Sequence, residues 1–254
     1  MLDGSNLDWN MIPSYVTDVR MNLVPGVTTE MVQDDYRNGS GQEWLRKFRA
    51  IHSSAALAAN SFGRWKREPG KLKIIGCTGF SSPKLESQCH TGLGGTPPNL
   101  DVLLESPTVV IGIESKLLEP LKLIKPLFSA SYTLENLPLC EKAWWDALTQ
   151  TKRMPPCHLD VAQLIKHYLG LRKVYPNGRQ VYLVYLFWKP VNADSIPEYA
   201  RHAEELKDFE NLVAEGKEVS FIAMDYLRLC ESWSIDRDMG SHAESLQNRY
   251  RVEI

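Results

Sequence analysis

The side chains best placed to do chemistry in this 254-residue chain sit in one window, PPNLDVLLESPTVVIGIESKLLEPL, residues 97–121. Asp101 falls in one strand-like run, and Glu114 and Lys116 fall in the next, two positions apart. Side chains alternate along a strand, so Glu114 and Lys116 share a face while Ile111 and Ile113 take the opposite, buried one. If the two runs pair as a hairpin, Asp101 comes to lie beside them. Two carboxylates converging from adjacent strands make an oxygen-ligand site for a hard divalent cation such as Mg²⁺, and the backbone carbonyl of Ser115 is a further ligand. A lysine beside such an ion positions or deprotonates a water and stabilises charge developing on a phosphate. The combination suits metal-assisted hydrolysis of a phosphodiester.

The elements that must hold these groups follow from pattern. Residues 1–40 are irregular, with Pro13, Pro25, Gly26 and an Asn38-Gly39 turn signal, and leave room for two short helices. Over 41–65 the residues Trp44, Leu45, Phe48, Ile51, Ala55, Leu57, Ala58 and Phe62 recur at helical spacing and predict a helix. The runs LKIIGCTGF, KLESQCHTG, NLDVLLES and TVVIGIESKLLE, between residues 71 and 119, predict extended segments in an antiparallel meander. EKAWWDALTQ and HLDVAQLIKHYLGLRKV predict two helices parted by Pro155-Pro156. GRQVYLVYLFW predicts a strand buried on both faces. A helix follows, with Asp194 or Ser195 as cap and Pro197 in its first turn. VSFIAMDY predicts a last strand, and DYLRLCESW and SHAESLQNRYRV closing helices. The order predicts an α/β fold with a mixed central sheet flanked by helices.

Asp101, a spacer of about a dozen residues and then Glu114-Ser115-Lys116 resemble the PD-(D/E)XK nuclease superfamily, whose fold is restriction-endonuclease-like. That family's αβββαβ core fits residues 42–65, 71–116, 141–173 and 180–188, so the resemblance covers about 41–190, with a strand and helices added at the C-terminal side. Leu100 stands where the motif has proline, and Pro97 and Pro98 lie just upstream. The pattern looks most like a restriction endonuclease subgroup. Gln163-Leu164-Ile165-Lys166-His167-Tyr168 resembles the Gln/Tyr helix motif of the RecB-like exonuclease branch. The resemblance implies that Asp101 and Glu114 hold Mg²⁺, or Mn²⁺ in its place, with Ser115 contributing its carbonyl. It implies that Lys116 serves the attacking water and that Gln163 orients the lysine or the DNA. It also implies a glutamate on the first helix, Glu43, turned toward the metal or water, with Glu86 as its rival. The implied reaction is DNA hydrolysis leaving a 5′-phosphate. The alternatives within that fold are a RecB-like or phage-type exonuclease and an inactive nucleic-acid-binding module. Family habit implies a homodimer.

Blander readings compete. A Glu/Lys pair on a strand is often only a solvated ion pair, which stabilises little. Here it ends an apolar VVIGI run, where charge is uncommon without a purpose. Glu43 also reads as a first-turn acid favoured by the helix dipole. Cys77, Cys89 and His90 match no familiar zinc spacing. The glycines of GLGG, 92–95, lack a strand–loop–helix context and read as a turn. Trp144-Trp145 and Phe187-Trp188 read as core.

With 29 Lys and Arg against 31 Asp and Glu, the net charge of −2 argues against a uniformly basic nucleic-acid binder. The average conceals two opposite regions. Residues 44–73 carry eight basic side chains and one acid, which suits a phosphate-backbone contact. Residues 194–218 carry eight acids and three bases and read as a solvated helix face. Five scattered cysteines without a CxxC pair read as reduced thiols. An acidic, polar start and the lack of any run near ~18 apolar residues predict a cytoplasmic protein without a membrane span. The expectation is a single domain over 1–254.

Overall fold

A computed structural model of the chain describes residues 15–38, 44, 47–95 and 97–254. Five strands, β1 (Lys84–Gln88), β2 (Asn99–Glu105), β3 (Val109–Lys116), β4 (Gln180–Phe187) and β5 (Val219–Asp225), form one sheet in the order β1-β2-β3-β4-β5. β1–β2 and β2–β3 pair antiparallel, and β3–β4 and β4–β5 pair parallel. The change of direction follows from the connections. Ser106-Pro107-Thr108 turns tightly between β2 and β3, and the Ser106 hydroxyl accepts the Val109 N–H at 2.9 Å. A parallel pair needs a long crossover instead. α3 (Lys142–Thr151) and α4 (Val161–Val174) provide one, and α5 (Pro197–Val213) provides the other.

Two apolar cores lie on the two faces of this α/β layer. One gathers α1 (Thr29–Asn38), α2 (Ser54–Phe62), α6 (Tyr226–Ser234) and α7 (Gly240–Tyr250) against Ile111 and Ile113. The other gathers α3, α4 and α5 against Val110, Leu183 and Tyr185. Gly112 sits between them on β3, where an added Cβ would come within 2.9 Å of side-chain carbons of Leu100 and Leu171. The glycine therefore lets α4 lie close over the strand that carries Glu114 and Lys116. Gly170 does the same one layer out. An added Cβ there would lie 2.3 Å from the backbone oxygen of Cys89, just past β1.

Three expectations need correction. The helix predicted over 41–65 is regular only from Ser54 to Phe62; Lys47–Arg49 and Gly63–Lys66 are 3-10 turns, and residues 41–43 and 45–46 lie outside the described ones. The Asn22 side chain donates to the carbonyls of Phe48 and Ala50 at 2.7 Å each, using acceptors that a continuous helix needs for itself. Trp44 and Phe48 pack against Tyr36 instead. The run 71–79 is not a ladder strand. Ile74 and Cys77 pair across a two-residue turn in which Ile75 (φ 46°) and Gly76 (φ 76°) are both left-handed. Neither Asp194 nor Ser195 caps α5; both lie in a separate 3-10 turn, and the helix opens on Pro197 without a side-chain cap. Elsewhere the expected strands and helices are present, with Pro155-Pro156 between α3 and α4. No helix among the described residues is long and apolar enough to cross a membrane.

Two stability measurements check this packing. Gly170→Ala should cost about 3 kcal/mol, the upper end of ordinary overpacking, because backbone must move. Gly94→Ala, with nothing within 4 Å of the new carbon, should be close to neutral. Equal unfolding midpoints for the two variants would contradict the close approach. Second, His202 and His242 are wholly buried, and burial lowers each imidazole to about 4. Each contributes stability in full above the unfolded value near 6.5 and loses it as pH falls toward 4, about 2 kcal/mol apiece by pH 5. Urea midpoints should therefore drop between pH 7 and 5, while both imidazole resonances stay untitrated above pH 5. Resonances titrating near 6.5 would show the burial to be wrong.

Candidate metal-dependent hydrolytic site

The β2–β3 ladder closes at the pair Val102–Ile113. Beyond it the Asp101 carboxylate accepts the Ser115 N–H at 2.6 Å, so a side chain replaces the next ladder bond. β3 meanwhile stays paired to β4 as far as Lys116, whose carbonyl accepts the Trp188 N–H at 2.8 Å. By strand alternation the Ser115 carbonyl is directed away from β4, to the same side as its N–H. Asp101, Glu114, Ser115 and Lys116 thus meet where the sheet forks. They line an open cleft of about 460 Å³ together with Gln163, Glu119, Glu86 and the first turn of α2.

α4 reaches this fork from one face. The Asp160 side chain caps it by accepting the Gln163 N–H at 3.0 Å. One turn apart, Gln163 and His167 project from the same side of the helix. Gln163 Oε1 accepts from Lys116 Nζ at 2.8 Å, and His167 Nε2 lies 2.7 Å from Glu114 Oε2. Lys116 Nζ also pairs with Glu114 Oε1. The result is a chain, Gln163–Lys116–Glu114–His167, that leaves the helix, crosses two positions of β3 and returns to the helix.

From the other face, the Ser115 hydroxyl shares a hydrogen bond of 2.7 Å with Tyr226 OH at the start of α6. Ser54, in the first turn of α2, donates to both oxygens of Glu119 at 2.6 and 2.8 Å. Glu119 also accepts the Leu117 N–H at 2.8 Å, which ties the end of β3 to α2.

The electrostatics are those of a buried charged cluster. Glu114 is 1% exposed. Burial opposes its ionisation, but Lys116 and then His167 outweigh that and hold its carboxyl at about 2. Burial likewise opposes the Lys116 ammonium, and Glu114, Asp101 and Glu119 together outweigh it and push the group up. For Asp101 the compensation from Lys116 and the Ser115 N–H is outweighed. Burial and the neighbouring Glu114 charge push it well above the usual carboxylate range. Two carboxylates in mutual repulsion, with a backbone carbonyl beside them, are a donor set that fits a hard divalent cation. No group of three or more His, Cys, Asp or Glu side chains among the described residues is arranged to hold a metal ion. Such an ion would therefore keep several waters, as Mg²⁺ does in many sites.

The structure brings Asp101, Glu114, Ser115, Lys116 and Gln163 together. Glu43 lies outside the described residues. Glu86 lines the cleft in a left-handed backbone conformation (φ 51°), and Asn99 Nδ2 donates to its carboxylate at 3.3 Å. Tyr168 is not part of the site. Its ring stacks on Trp144 with centroids 4.0 Å apart, and its hydroxyl accepts the Glu141 N–H at 2.8 Å. The residue one turn on from Gln163 is His167, and that four-residue spacing was a signal available in the sequence. Glu119, Ser54 and Tyr226 carried no comparable signal, since tertiary packing alone brings them in. Nor do Cys77, Cys89 and His90 form a metal-binding group.

The basic stretch over 44–73 is partly paired. Lys66 pairs with Asp35, Lys71 with Glu68 and Asp238, and Lys73 with Asp236. Lys47 lines the cleft. Three of the eight basic side chains, Lys66, Lys71 and Lys73, thus meet acids distant in sequence. Glu205 departs from the expectation of a purely solvated acidic face, because its carboxylate accepts the N–H groups of His158 and Leu159 at 2.8 Å each.

No curated protein and no solved structure matches the chain. The sequence model of one family, described as Restriction Endonuclease associating with ARP, matches residues 8–251 and so spans the whole sheet, both helix layers and the forked-strand site. On that match, over nearly its full length, the chain belongs to this restriction endonuclease family.

Proposed function

We propose that the protein is a divalent-metal-dependent endonuclease of restriction type, which hydrolyses DNA phosphodiesters at the fork of its sheet with a PD-(D/E)XK set of residues. The observation that carries the reading is the convergence of Asp101 and Glu114 with a largely shielded lysine held between β3 and α4. The family description supports the endonuclease role and DNA as substrate.

Asp101, Glu114 and the Ser115 carbonyl would hold Mg²⁺, with Mn²⁺ as a substitute. The ion would supply Lewis acidity at the phosphate and an acidified water. In the metal-free site its acidic neighbours push Lys116 up, so it stands there as an ammonium and a hydrogen-bond donor. Glu114 and Gln163 engage two of its three N–H groups among the described residues. The third is left for the attacking water or for a phosphate oxygen whose charge grows as the bond breaks. Gln163 keeps the ammonium from swinging onto Glu114 alone. Lys47 lies on the wall of the cleft, where a cation suits a backbone phosphate.

The test is cleavage of supercoiled plasmid by the purified protein with Mg²⁺ or Mn²⁺, against an EDTA control. Nicked or linear product is expected with metal alone. Asp101→Asn, Glu114→Gln and Lys116→Ala should each reduce the rate at least about 100-fold, and Gln163→Ala should reduce it less. Intact circles alongside degraded linear DNA would replace the reading with an exonuclease. A wild type inert on every substrate with both ions would remove the nuclease reading altogether.

A further inference from the structure

We propose that residues 122–128, a strap between β3 and α3, form a second DNA contact, whose lysines take backbone phosphates and whose exposed leucines press into the duplex and bend it beside the cleft; this rests on the DNA-endonuclease reading above. The strap reads Lys-Leu-Ile-Lys-Pro-Leu-Phe, and no acid follows it until Glu135. Leu123 and Leu127 are 62% and 65% exposed, and Lys122 and Lys125 stand exposed beside them. A single exposed leucine needs no explanation, but two on one short strap, interleaved with cations, mark a contact surface. Lys166 on α4 adds a third cation, which lies over the Phe128 ring at 5.5 Å. None of these three lysines has an ion-pair partner among the described residues, whereas Lys66, Lys71 and Lys73 each meet an acid.

The strap is fastened at several points. Ile124 exchanges backbone hydrogen bonds of 2.7 and 3.1 Å with Cys157, just ahead of α4. Phe128 packs edge-on against Tyr132, whose carbonyl accepts from Lys152 Nζ at 2.8 Å. Leu123 and Leu127 are therefore presented on a held backbone. The strap also adjoins the cleft. Glu119 lines the cleft four residues before Leu123, so at most about 14 Å of chain separates them. Gln163 lines it three residues before Lys166 on the same helix. That span is under half of the roughly 34 Å of one duplex turn, so DNA seated at the fork passes within reach of the strap. Lysines without acid partners attract phosphate, and apolar wedges unstack base steps and kink a duplex by about 20–90°. Charge complementarity to a polyanion and continuity with the cleft single out DNA as the occupant.

The test uses the full-length protein and a short duplex spanning a position that the wild type cuts, kept intact in EDTA. Binding is measured against salt concentration, and energy transfer between dyes at the two DNA ends reports bending. Lys122→Ala/Lys125→Ala should reduce the slope of log K against log salt by about 2. Leu123→Ser/Leu127→Ser should keep that slope, weaken binding about 10-fold and leave the DNA straight. Leu123→Met/Leu127→Met, which keeps apolar wedges, should retain the bend. All four positions are exposed, where substitutions leave stability nearly unchanged. A slope unchanged in the lysine variant, or a bend absent from the wild type or unchanged in the serine variant, would overturn this inference and leave the nuclease reading standing. If the serine variant instead alters sedimentation of the DNA-free protein, the patch joins copies of this chain, and the DNA contact is likewise overturned. A wild type that cuts no DNA would overturn both.

Discussion

The structure turns on a buried ion pair. Glu114 and Lys116 are two residues apart on a central strand, and both are nearly withdrawn from water. Taking two such ions out of water costs several kcal/mol apiece, and their attraction compensates only when further hydrogen bonds complete the cluster. Gln163 supplies such a bond to Lys116 here, while His167 lies 2.7 Å from Glu114 and the Asp101 charge is nearby. Every larger feature that touches the site makes those partners converge. The capped start of α4 fixes Gln163 and His167 in phase. Gly112 and Gly170 let that helix lie close enough for short side chains to reach β3.

The second constraint is the fork. A regular antiparallel ladder would have engaged the Ser115 backbone with β2. Ending the ladder at Val102–Ile113 frees that backbone, and Asp101 takes up one of its two polar groups. The mixed sheet makes this possible. β3 keeps its parallel partner β4 to the last residue, so it stays rigid while β2 parts from it. Rigidity on one edge and release on the other leave a cleft with charged walls and an ordered floor.

The additional C-terminal elements are part of the same support. β5 extends the sheet beyond β4, and α6 begins at once with Tyr226, whose hydroxyl meets Ser115 from the face opposite α4. β3 is therefore braced from both layers within two residues of its charged pair. Ser54 and Glu119 brace the end of the same strand from α2. A substitution in α6, more than a hundred residues from Glu114 in sequence, is thereby coupled to the site through a direct chain of contacts.

The sequence by itself determined what local rules govern. Alternation placed Glu114 and Lys116 on one face, and apolar runs marked β3 and β4. Pro155-Pro156 parted two helices, and the spacing from Asp101 to Lys116 pointed to the site. It failed where distant groups competed for the backbone. The Asn22 side chain claimed the carbonyls of Phe48 and Ala50, so apolar spacing that read as one helix became a turn, a wrapped aromatic cluster and a shorter helix. Within the basic stretch, likewise, Lys66, Lys71 and Lys73 are met by Asp35, Asp238 and Asp236, acids that sequence proximity could not reveal. Only the tertiary structure decided that His167, rather than Tyr168, faces Glu114. A helix turns about 100° per residue, so neighbouring positions meet different surroundings, and which one meets the strand depends on how closely α4 can approach it.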